Sequence, residues 1–300
     1  MIDLILEMFS YTFLVRAVVV GLMVSLCASL LGVSLVLKRY SMIGDGLSHV
    51  GFGTLAVATA LNAAPLKVSV PVVIAAAFLL LRVSENSRIK GDAAIALISA
   101  SSLAVGVMVI SLTTGMNTDV CNYMFGSILA MSRDDVELSI TLAVAVLILF
   151  IFFYNKIFGV TFDENFAKAT GVKTGLYNML IAFLTAITIV LGMRMMGALL
   201  ISSLIIFPAL TSMRLCRRFK SVTICSAFVS VSCFFAGVVI SYIGFPVRQG
   251  HKIVIKSMPA GASVVLVNII AFLLFWAAGL IPWNALKAAV NRFFAERKKE

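Results

Sequence analysis

Charged residues are scarce in this chain: Asp, Glu, Lys and Arg make up 12% of its 300 residues, against 61% hydrophobic residues. No Gly-Lys pair occurs, so the chain lacks a phosphate-binding loop of the G-x-x-x-x-G-K-S/T type, which excludes ATP binding by that route. The H-E-x-x-H and G-x-S-x-G patterns of membrane proteases are also missing. Five cysteines without a C-x-x-C pair indicate small core residues rather than a disulfide framework.

Long apolar runs dominate what is present, and the mean hydropathy is +1.09. A membrane-crossing helix needs about 20 mostly apolar residues, and the chain holds eight or nine such runs. The runs are continuous rather than alternating, which excludes a transmembrane β-barrel. The sequence therefore predicts an all-α, polytopic membrane protein with 8–9 transmembrane helices in a single domain over residues 1–300. The predicted spans are residues 12–37, 41–62, 68–81, 93–112, 139–157, 176–193, 197–213, 222–244 and 260–281.

The net charge of +11 is carried mainly by short segments between the spans. With nine spans, 17 positive side chains fall on the side of the C-terminus and 6 on the other side. Because cytoplasmic loops are enriched in Lys and Arg, we expect a cytoplasmic C-terminal tail over about 283–300 and an external N-terminus. The positive charge thus indicates membrane topology and no nucleic-acid partner. Asp3 and Glu7, without a basic segment, argue against a cleaved signal peptide.

Residues 44–49, Gly-Asp-Gly-Leu-Ser-His, place ionisable side chains inside an apolar span. Asp45 and His49 are four residues apart, so on a helix they lie on the same face and can bind one ion. Ionisable groups inside a membrane span are costly and indicate function by default. The alternative is that Asp45 caps a helix start and His49 bonds a neighbouring backbone carbonyl. Asp92 opens a later run without such a partner, and we interpret it as a helix cap.

A polar stretch over residues 158–175 interrupts the apolar runs. Thr161 and Glu164 fit a capping box, and Gly171 fits a helix stop. We therefore predict a short amphipathic helix on the cytoplasmic side, over about 162–171. It is either a connector that lies on lipid head groups or a docking helix for a cytoplasmic partner. The residues available for contact are Phe162, Phe166 and Ala167.

Several motifs, taken in order, resemble the permease subunits of bacterial zinc/manganese/iron ABC importers. Residues 38–42, Lys-Arg-Tyr-Ser-Met, directly precede the segment with Asp45 and His49. The resemblance runs from about residue 12 to residue 281, and the order of the motifs makes it specific. The other matching stretches are 123–129 (Tyr-Met-Phe-Gly-Ser-Ile-Leu), 162–167 (Phe-Asp-Glu-Asn-Phe-Ala) and 197–200 (Gly-Ala-Leu-Leu) with Pro208.

This resemblance implies a permease homodimer in the bacterial plasma membrane, with two cytoplasmic ATP-binding subunits and an extracytoplasmic metal-binding protein. It implies that the chain is not an enzyme, holds no tightly bound cofactor, and transports a divalent metal past Asp45 and His49. A carboxylate and an imidazole suit Zn²⁺, Mn²⁺ or Fe²⁺ rather than Ca²⁺ or Mg²⁺. The resemblance further implies that residues 162–171 form the coupling helix, the segment that docks on the ATPase. Its ATPase-docking residues are Phe162, Asp163, Glu164, Phe166, Ala167 and Gly171.

Two other classes of function stay open from the residues themselves. An ion-coupled secondary transporter would use Asp45 and His49 as a proton relay and would take up its solute without an ATPase. A membrane scaffold that transports nothing would tolerate replacement of both side chains. Uptake measurements on substituted protein therefore separate the three classes.

Overall fold

The computed structural model describes residues 10–86, 91–113, 126, 133–249, 252–256 and 258–280. The described part is helical apart from one antiparallel strand pair, in which Phe245 lies opposite Lys256 and Gln249 opposite Lys252. The elements in chain order are α1 (Thr12–Leu37), α2 (Ser41–Ala60), α3 (Pro65–Asn86), α4 (Gly91–Thr113), α5 (Arg133–Phe152), α6 (Tyr154–Phe162), α7 (Glu164–Ala169), α8 (Thr174–Met196), α9 (Ala198–Leu215), α10 (Phe219–Ile243), β1 (Phe245–Gln249), β2 (Lys252–Lys256) and α11 (Ala260–Leu280).

Among the described residues, eight helices are long and apolar enough to cross a membrane: α1, α3, α4, α5, α8, α9, α10 and α11. Helix α2 has 20 residues, which at about 1.5 Å per residue is also the length of a span. Its hydropathy is lowered by Asp45, His49 and several glycines. The predicted all-α architecture with eight or nine spans is confirmed, and α2 is the span that composition alone identifies least well.

Two predicted spans differ from the observed helices by five residues or more at one end or both, whereas the others agree to within three residues. Helix α3 runs over 22 residues with Pro71 inside it, and is longer than the predicted 68–81. Proline is tolerated inside membrane helices because neighbouring groups satisfy the freed carbonyl. The predicted span 139–157 instead begins at Arg133 and ends at Phe152, and α6 follows after one residue. The predicted tail, about 283–300, and most of the matching stretch 123–129 lie outside the described residues.

The seam between α1 and α10 is formed by small polar residues. The Ser230 hydroxyl donates to the Ser25 carbonyl oxygen at 2.9 Å, and the Ser226 hydroxyl donates to the Ser29 carbonyl oxygen at 3.3 Å. All four serines are fully buried. Small residues let helix backbones approach closely in a membrane bundle, and the carbonyls satisfy the buried hydroxyls. These bonds hold α1 and α10 side by side.

Helix α2 lies within the bundle, where it packs against α4, α3 and α9. Leu47, Phe52 and Leu55 are buried on it to 1% exposure or less. Helix α9 is held against α1 by a backbone contact at Gly32, where an added Cβ would lie 2.0 Å from the Ile205 carbonyl oxygen. The apolar faces of α2 are thus covered, and its polar residues have a fixed direction relative to α9.

The predicted role of the cysteines as small core residues holds for Cys27 and Cys233, which are buried. Cys216 and Cys225 are only partly buried. Cys216 follows the end of α9, where the apolar run gives way to the basic segment before α10. The fifth cysteine, Cys121, lies outside the described residues.

Candidate functional site

The structure brings the Asp45 and His49 side chains together on one face of α2. Asp45 Oδ2 and His49 Nε2 are 3.7 Å apart, which is too long for a hydrogen bond. The His49 side chain is 17% exposed and the Asp45 side chain is 41% exposed. The pair therefore lies at the boundary of the bundle, with a gap between a carboxylate oxygen and a ring nitrogen.

The capping alternative for this pair is wrong. Helix α2 begins at Ser41, and Tyr40 occupies the N-cap position, so Asp45 lies in the second turn. The His49 Nδ1 atom is buried and has no hydrogen-bond partner within the described part of the chain, so no backbone carbonyl accepts from it. A buried, unsatisfied ring nitrogen costs free energy. Neither side chain serves the local helix structure. Asp92, interpreted as a cap, lies in the first turn of α4, and its side chain is outside the described part.

Ser202 on α9 is a site residue that the sequence did not reveal. Its hydroxyl lies 3.3 Å from Asp45 Oδ1, and it also reaches the Ala198 carbonyl oxygen at 3.2 Å. In the sequence, Ser202 and Ser203 are an ordinary pair of small residues within the predicted span 197–213. The two partners are 157 positions apart in the chain, so no local pattern connects them. The one signal in the sequence that could have indicated this site residue is the pair of adjacent polar side chains within an apolar run.

An apolar groove of about 500 Å³ opens between α9 and α11 beside this contact. Ser202 and Ser203 supply its hydroxyls, and Leu199, Phe207 and Val265 are among its apolar residues. Asp45 is thus connected through one hydroxyl to an open groove. In the part of the chain that the structure describes, no three His, Cys, Asp or Glu side chains form a group able to hold a metal ion.

The predicted cytoplasmic helix exists as α7, but it is shorter than 162–171, and its cap differs. The capping box of Thr161 and Glu164 is wrong, because Thr161 lies inside α6 and Asp163 is the N-cap. Asp163 has an extended backbone, and its carboxylate accepts from the Phe166 N–H at 2.9 Å. The predicted stop at Gly171 is confirmed.

Gly171 has φ +81°, a left-handed conformation that favours glycine. Its N–H donates to the Lys168 carbonyl, and the Val172 N–H donates to the Ala167 carbonyl, both at 3.0 Å. This pair of bonds is a Schellman closure. It satisfies two carbonyls at the end of α7 and turns the chain directly into α8.

The exposed surface of this segment is narrower than predicted. Phe162 and Phe166 are 59% and 67% exposed. Ala167 is only 4% exposed, so the expectation that it is available for contact is wrong. Residues i and i+1 of a short helix point in different directions, and here Ala167 faces the bundle. Phe162 also packs on Phe158 and Phe219, with ring centroids 5.0 and 6.0 Å away.

Glu164, the first residue of α7, is held by three side chains. Its Oε2 accepts from Asn178 Nδ2 at 3.3 Å and lies 3.5 Å from Lys38 Nζ, and its Oε1 lies 3.1 Å from Lys168 Nζ. Lys38 also donates to Asn178 Oδ1. Burial raises the pKa of the Glu164 carboxyl, but the bonds from Lys168 and Asn178 and the charge of Lys38 outweigh burial and lower it. Glu164 is therefore ionised at neutral pH.

Comparison with known proteins gives matches along nearly the whole chain. The chain is 31% identical over 268 residues to a Thermotoga maritima protein named "Probable metal transport system membrane protein", covering 89% of this chain and 90% of that one. It is 30% identical over 293 residues to a Haemophilus influenzae protein named "Probable iron transport system membrane protein", covering 97% and 100%.

The fold is similar to that of a solved structure described as PsaBC from Streptococcus pneumoniae in complex with Fab. The TM-score is 0.78 at 28% identity, and the match covers 92% of this chain and 95% of that chain. The model of the ABC 3 transport family matches residues 10–279. This range contains α2 with Asp45 and His49, the short helix α7, and every other described helix up to the last turn of α11. The chain therefore belongs to the ABC 3 transport family.

Proposed function

We propose that the chain is the membrane-spanning permease subunit of an ABC importer for divalent transition metals, with Asp45 and His49 as ligands on the ion's path. The observation that carries the proposal is the position of a carboxylate and an imidazole side by side on a membrane helix. The similar proteins named for metal and iron transport support the cargo class. The chain is a transport subunit, and ATP hydrolysis takes place on a partner chain.

The distance between the two ligand atoms suits a transition metal. An ion about 2.1 Å from each atom, the usual length for zinc with nitrogen and oxygen ligands, would fit the 3.7 Å separation with a ligand–metal–ligand angle of about 120°. The mixed donor set suits Zn²⁺, Mn²⁺ or Fe²⁺, whereas Ca²⁺ and Mg²⁺ prefer oxygen donors alone. Ser202 orients the carboxylate from the opposite side.

Two protein ligands make an incomplete coordination shell. In this proposal a second copy of the chain, or water, supplies the remaining ligands, and the groove beside Ser202 leaves space on the Asp45 side. An incomplete shell suits transport, because an ion that is bound too tightly does not leave. No cofactor is tightly bound. The working assembly is a permease homodimer with two ATP-binding subunits and an extracytoplasmic metal-binding protein, and no nucleic acid takes part.

Helix α7 is the proposed coupling helix, and the ATPase covers its exposed Phe166 together with Phe162, the last residue of α6. Phe162 and Phe166 leave large apolar rings uncovered, which is the pattern of a helix that docks in a groove of a partner. Asp163 and Gly171 fix the two ends of the segment, and Glu164 fixes it to the bundle. Residues 1–300 form one permease domain in the bacterial plasma membrane, with the C-terminus in the cytoplasm. Transport proceeds by alternating access.

Uptake by purified protein in liposomes tests the function. The chain, its ATP-binding partner and the external metal-binding protein are reconstituted, and ATP-dependent uptake of Mn²⁺, Zn²⁺ and Fe²⁺ is measured. Asp45→Asn keeps the side-chain shape and His49→Gln keeps a polar side chain of similar reach, and each is expected to abolish uptake. Thr54→Val is the matched control, because Thr54 lies on the same helix and bonds only its own backbone, at the Gly51 carbonyl.

The result that contradicts the proposal is equally specific. Uptake by the chain alone, abolished by an uncoupler, would support the secondary transporter in its place. Normal uptake in both substituted proteins would show that Asp45 and His49 do not lie on the path.

A further inference from the structure

A buried lysine links three elements on the predicted cytoplasmic side of the bundle. The Lys38 side chain, at the end of α1, is only 8% exposed. It contacts Glu164 at the start of α7 and Asn178 in the second turn of α8, and those two residues also bond each other. Every pair within this cluster of Lys38, Glu164 and Asn178 is therefore in contact.

The connection from Lys38 to the site helix is short and closed by backbone hydrogen bonds. The Arg39 N–H donates to the Val36 carbonyl at 3.1 Å, and the Tyr40 N–H donates to the Leu35 carbonyl at 2.8 Å. Arg39 has φ 60°, so an arginine occupies the left-handed position that usually holds glycine. This backbone conformation is strained for a residue other than glycine, and it persists only where the surroundings fix it.

Helix α2 begins directly after this turn, at Ser41, and Asp45 is four residues further on. No loop intervenes that would absorb a displacement of Lys38. A movement of the end of α1 is therefore carried to the first turns of α2, which hold the candidate metal ligand.

We propose that Lys38, Glu164 and Asn178 are positioning residues that transmit movement of α7 to α2 and thereby couple ATP hydrolysis to metal transport. This inference rests on the proposed function, in which α7 docks on the ATPase. An ion pair with one buried partner, such as Lys38 with Glu164, contributes little to stability after the desolvation cost of that partner, and its best-attested role is to fix one arrangement of the elements it joins. The cluster also gives a function to the Lys-Arg-Tyr-Ser-Met stretch, which the metal site leaves unexplained.

The chain offers a matched control at Lys168. This lysine pairs with the other oxygen of the same Glu164 carboxylate, at 3.1 Å, but it lies on α7 itself and is 60% exposed. Removing Lys168 deletes an ion pair of Glu164 without separating α7 from α1. Removing Lys38 also deletes an ion pair of this carboxylate, and that ion pair is one that joins α7 to α1.

The test measures ATP hydrolysis and uptake of Mn²⁺ on the same reconstituted complex. In Lys38→Met we expect about a tenfold fall in ions moved per ATP hydrolysed, within the usual range of coupling between sites, while hydrolysis itself persists. Lys168→Met keeps the wild-type ratio. The double variant Lys38→Glu with Glu164→Lys exchanges the two charges and is expected to restore part of the ratio. The Asn178 amide can turn over, so that its NH2 group donates at position 38 and its oxygen accepts at position 164.

Three results would overturn the inference. An equal fall of the ratio in Lys38→Met and Lys168→Met would show that any lost positive charge near Glu164 has the same effect. A proportional loss of hydrolysis and uptake in Lys38→Met would show a role in ATPase docking alone. If Lys38→Met does not accumulate in the membrane, Glu164→Gln is measured instead, since it keeps the shape, and an unchanged ratio there contradicts the inference. Absence of ATP-dependent uptake in the wild-type complex contradicts the proposed function itself and is recognised before any variant is compared.

Discussion

Replacing Gly32 with alanine tests whether the site depends on the contact between α1 and α9. A Cβ at this position would lie 2.0 Å from the Ile205 carbonyl oxygen and 2.9 Å from its carbonyl carbon, and real Cβ atoms essentially never come within 3.0 Å. Both atoms belong to the backbone, so no side chain can move aside. Helix α9 itself has to shift by about 1 Å, because packed interiors have no free space to absorb the methyl group.

The expected cost is within the usual range for an added methyl group in a packed core. Overpacking a close-packed core costs about 1–3 kcal/mol, and a loss of about 2 kcal/mol lowers the unfolding midpoint by about 3 °C for a chain of 300 residues. Ser202 is three residues from Ile205 on the same helix. A 1 Å shift of α9 therefore also lengthens the 3.3 Å contact between Ser202 and Asp45.

Thermal unfolding of the detergent-solubilised protein, followed by size-exclusion chromatography, measures this loss. Gly159→Ala is the matched control, because Gly159 lies in α6 and an added Cβ there meets nothing within 4 Å. Alanine is favoured over glycine in a helix by about 0.5–1 kcal/mol, so the control is expected to melt at or above the wild-type temperature. An unfolding midpoint of Gly32→Ala equal to that of the control would refute the close backbone contact.

Two further substitutions test the proposed metal site and the proposed coupling helix. Ser202→Ala removes the hydroxyl that orients Asp45 and is expected to raise the KM for metal uptake by about tenfold or more, as loss of an outer ligand contact does. Ser203→Ala is the control and should leave the KM unchanged, because the Ser203 hydroxyl bonds the Leu200 carbonyl on its own helix. Equal effects of the two substitutions would show that Ser202 is not part of the site. Gly171→Ala is expected to cost about 1–2 kcal/mol, since φ +81° is strained for alanine. Faster amide hydrogen exchange in α7 measures this cost. Gly175→Ala has open space around it and is the control; unchanged exchange in both proteins would contradict the left-handed turn.

The helices were predictable because each span is a continuous apolar run, and a membrane requires nearly the same length of every one. The pairing of Asp45 with His49 was predictable because a four-residue spacing fixes the relative direction of two side chains on any helix. The stop at Gly171 was predictable for a related reason, since the left-handed conformation singles out one residue type.

Contacts between segments that are distant in the sequence could not be predicted. The Ser202 contact with Asp45 and the Lys38 contact with Glu164 join positions 157 and 126 apart, and helical periodicity gives the face of a residue but not the helix that it meets. The cap was misassigned for a local reason. Thr161 and Asp163 are both good cap residues, and the choice depended on where α6 ends, which packing of its aromatic side chains decides.

The serine seam between α1 and α10 limits how the bundle can rearrange. Each of the four serine hydroxyls donates a hydrogen bond to a backbone carbonyl oxygen. Ser226 and Ser230 donate across to α1, whereas Ser25 and Ser29 donate within α1 itself. Sliding one helix past the other would strand two hydroxyls in a dry interior, where each costs about 1–3 kcal/mol. These two helices consequently move as one unit, and any opening of the bundle separates other pairs of helices.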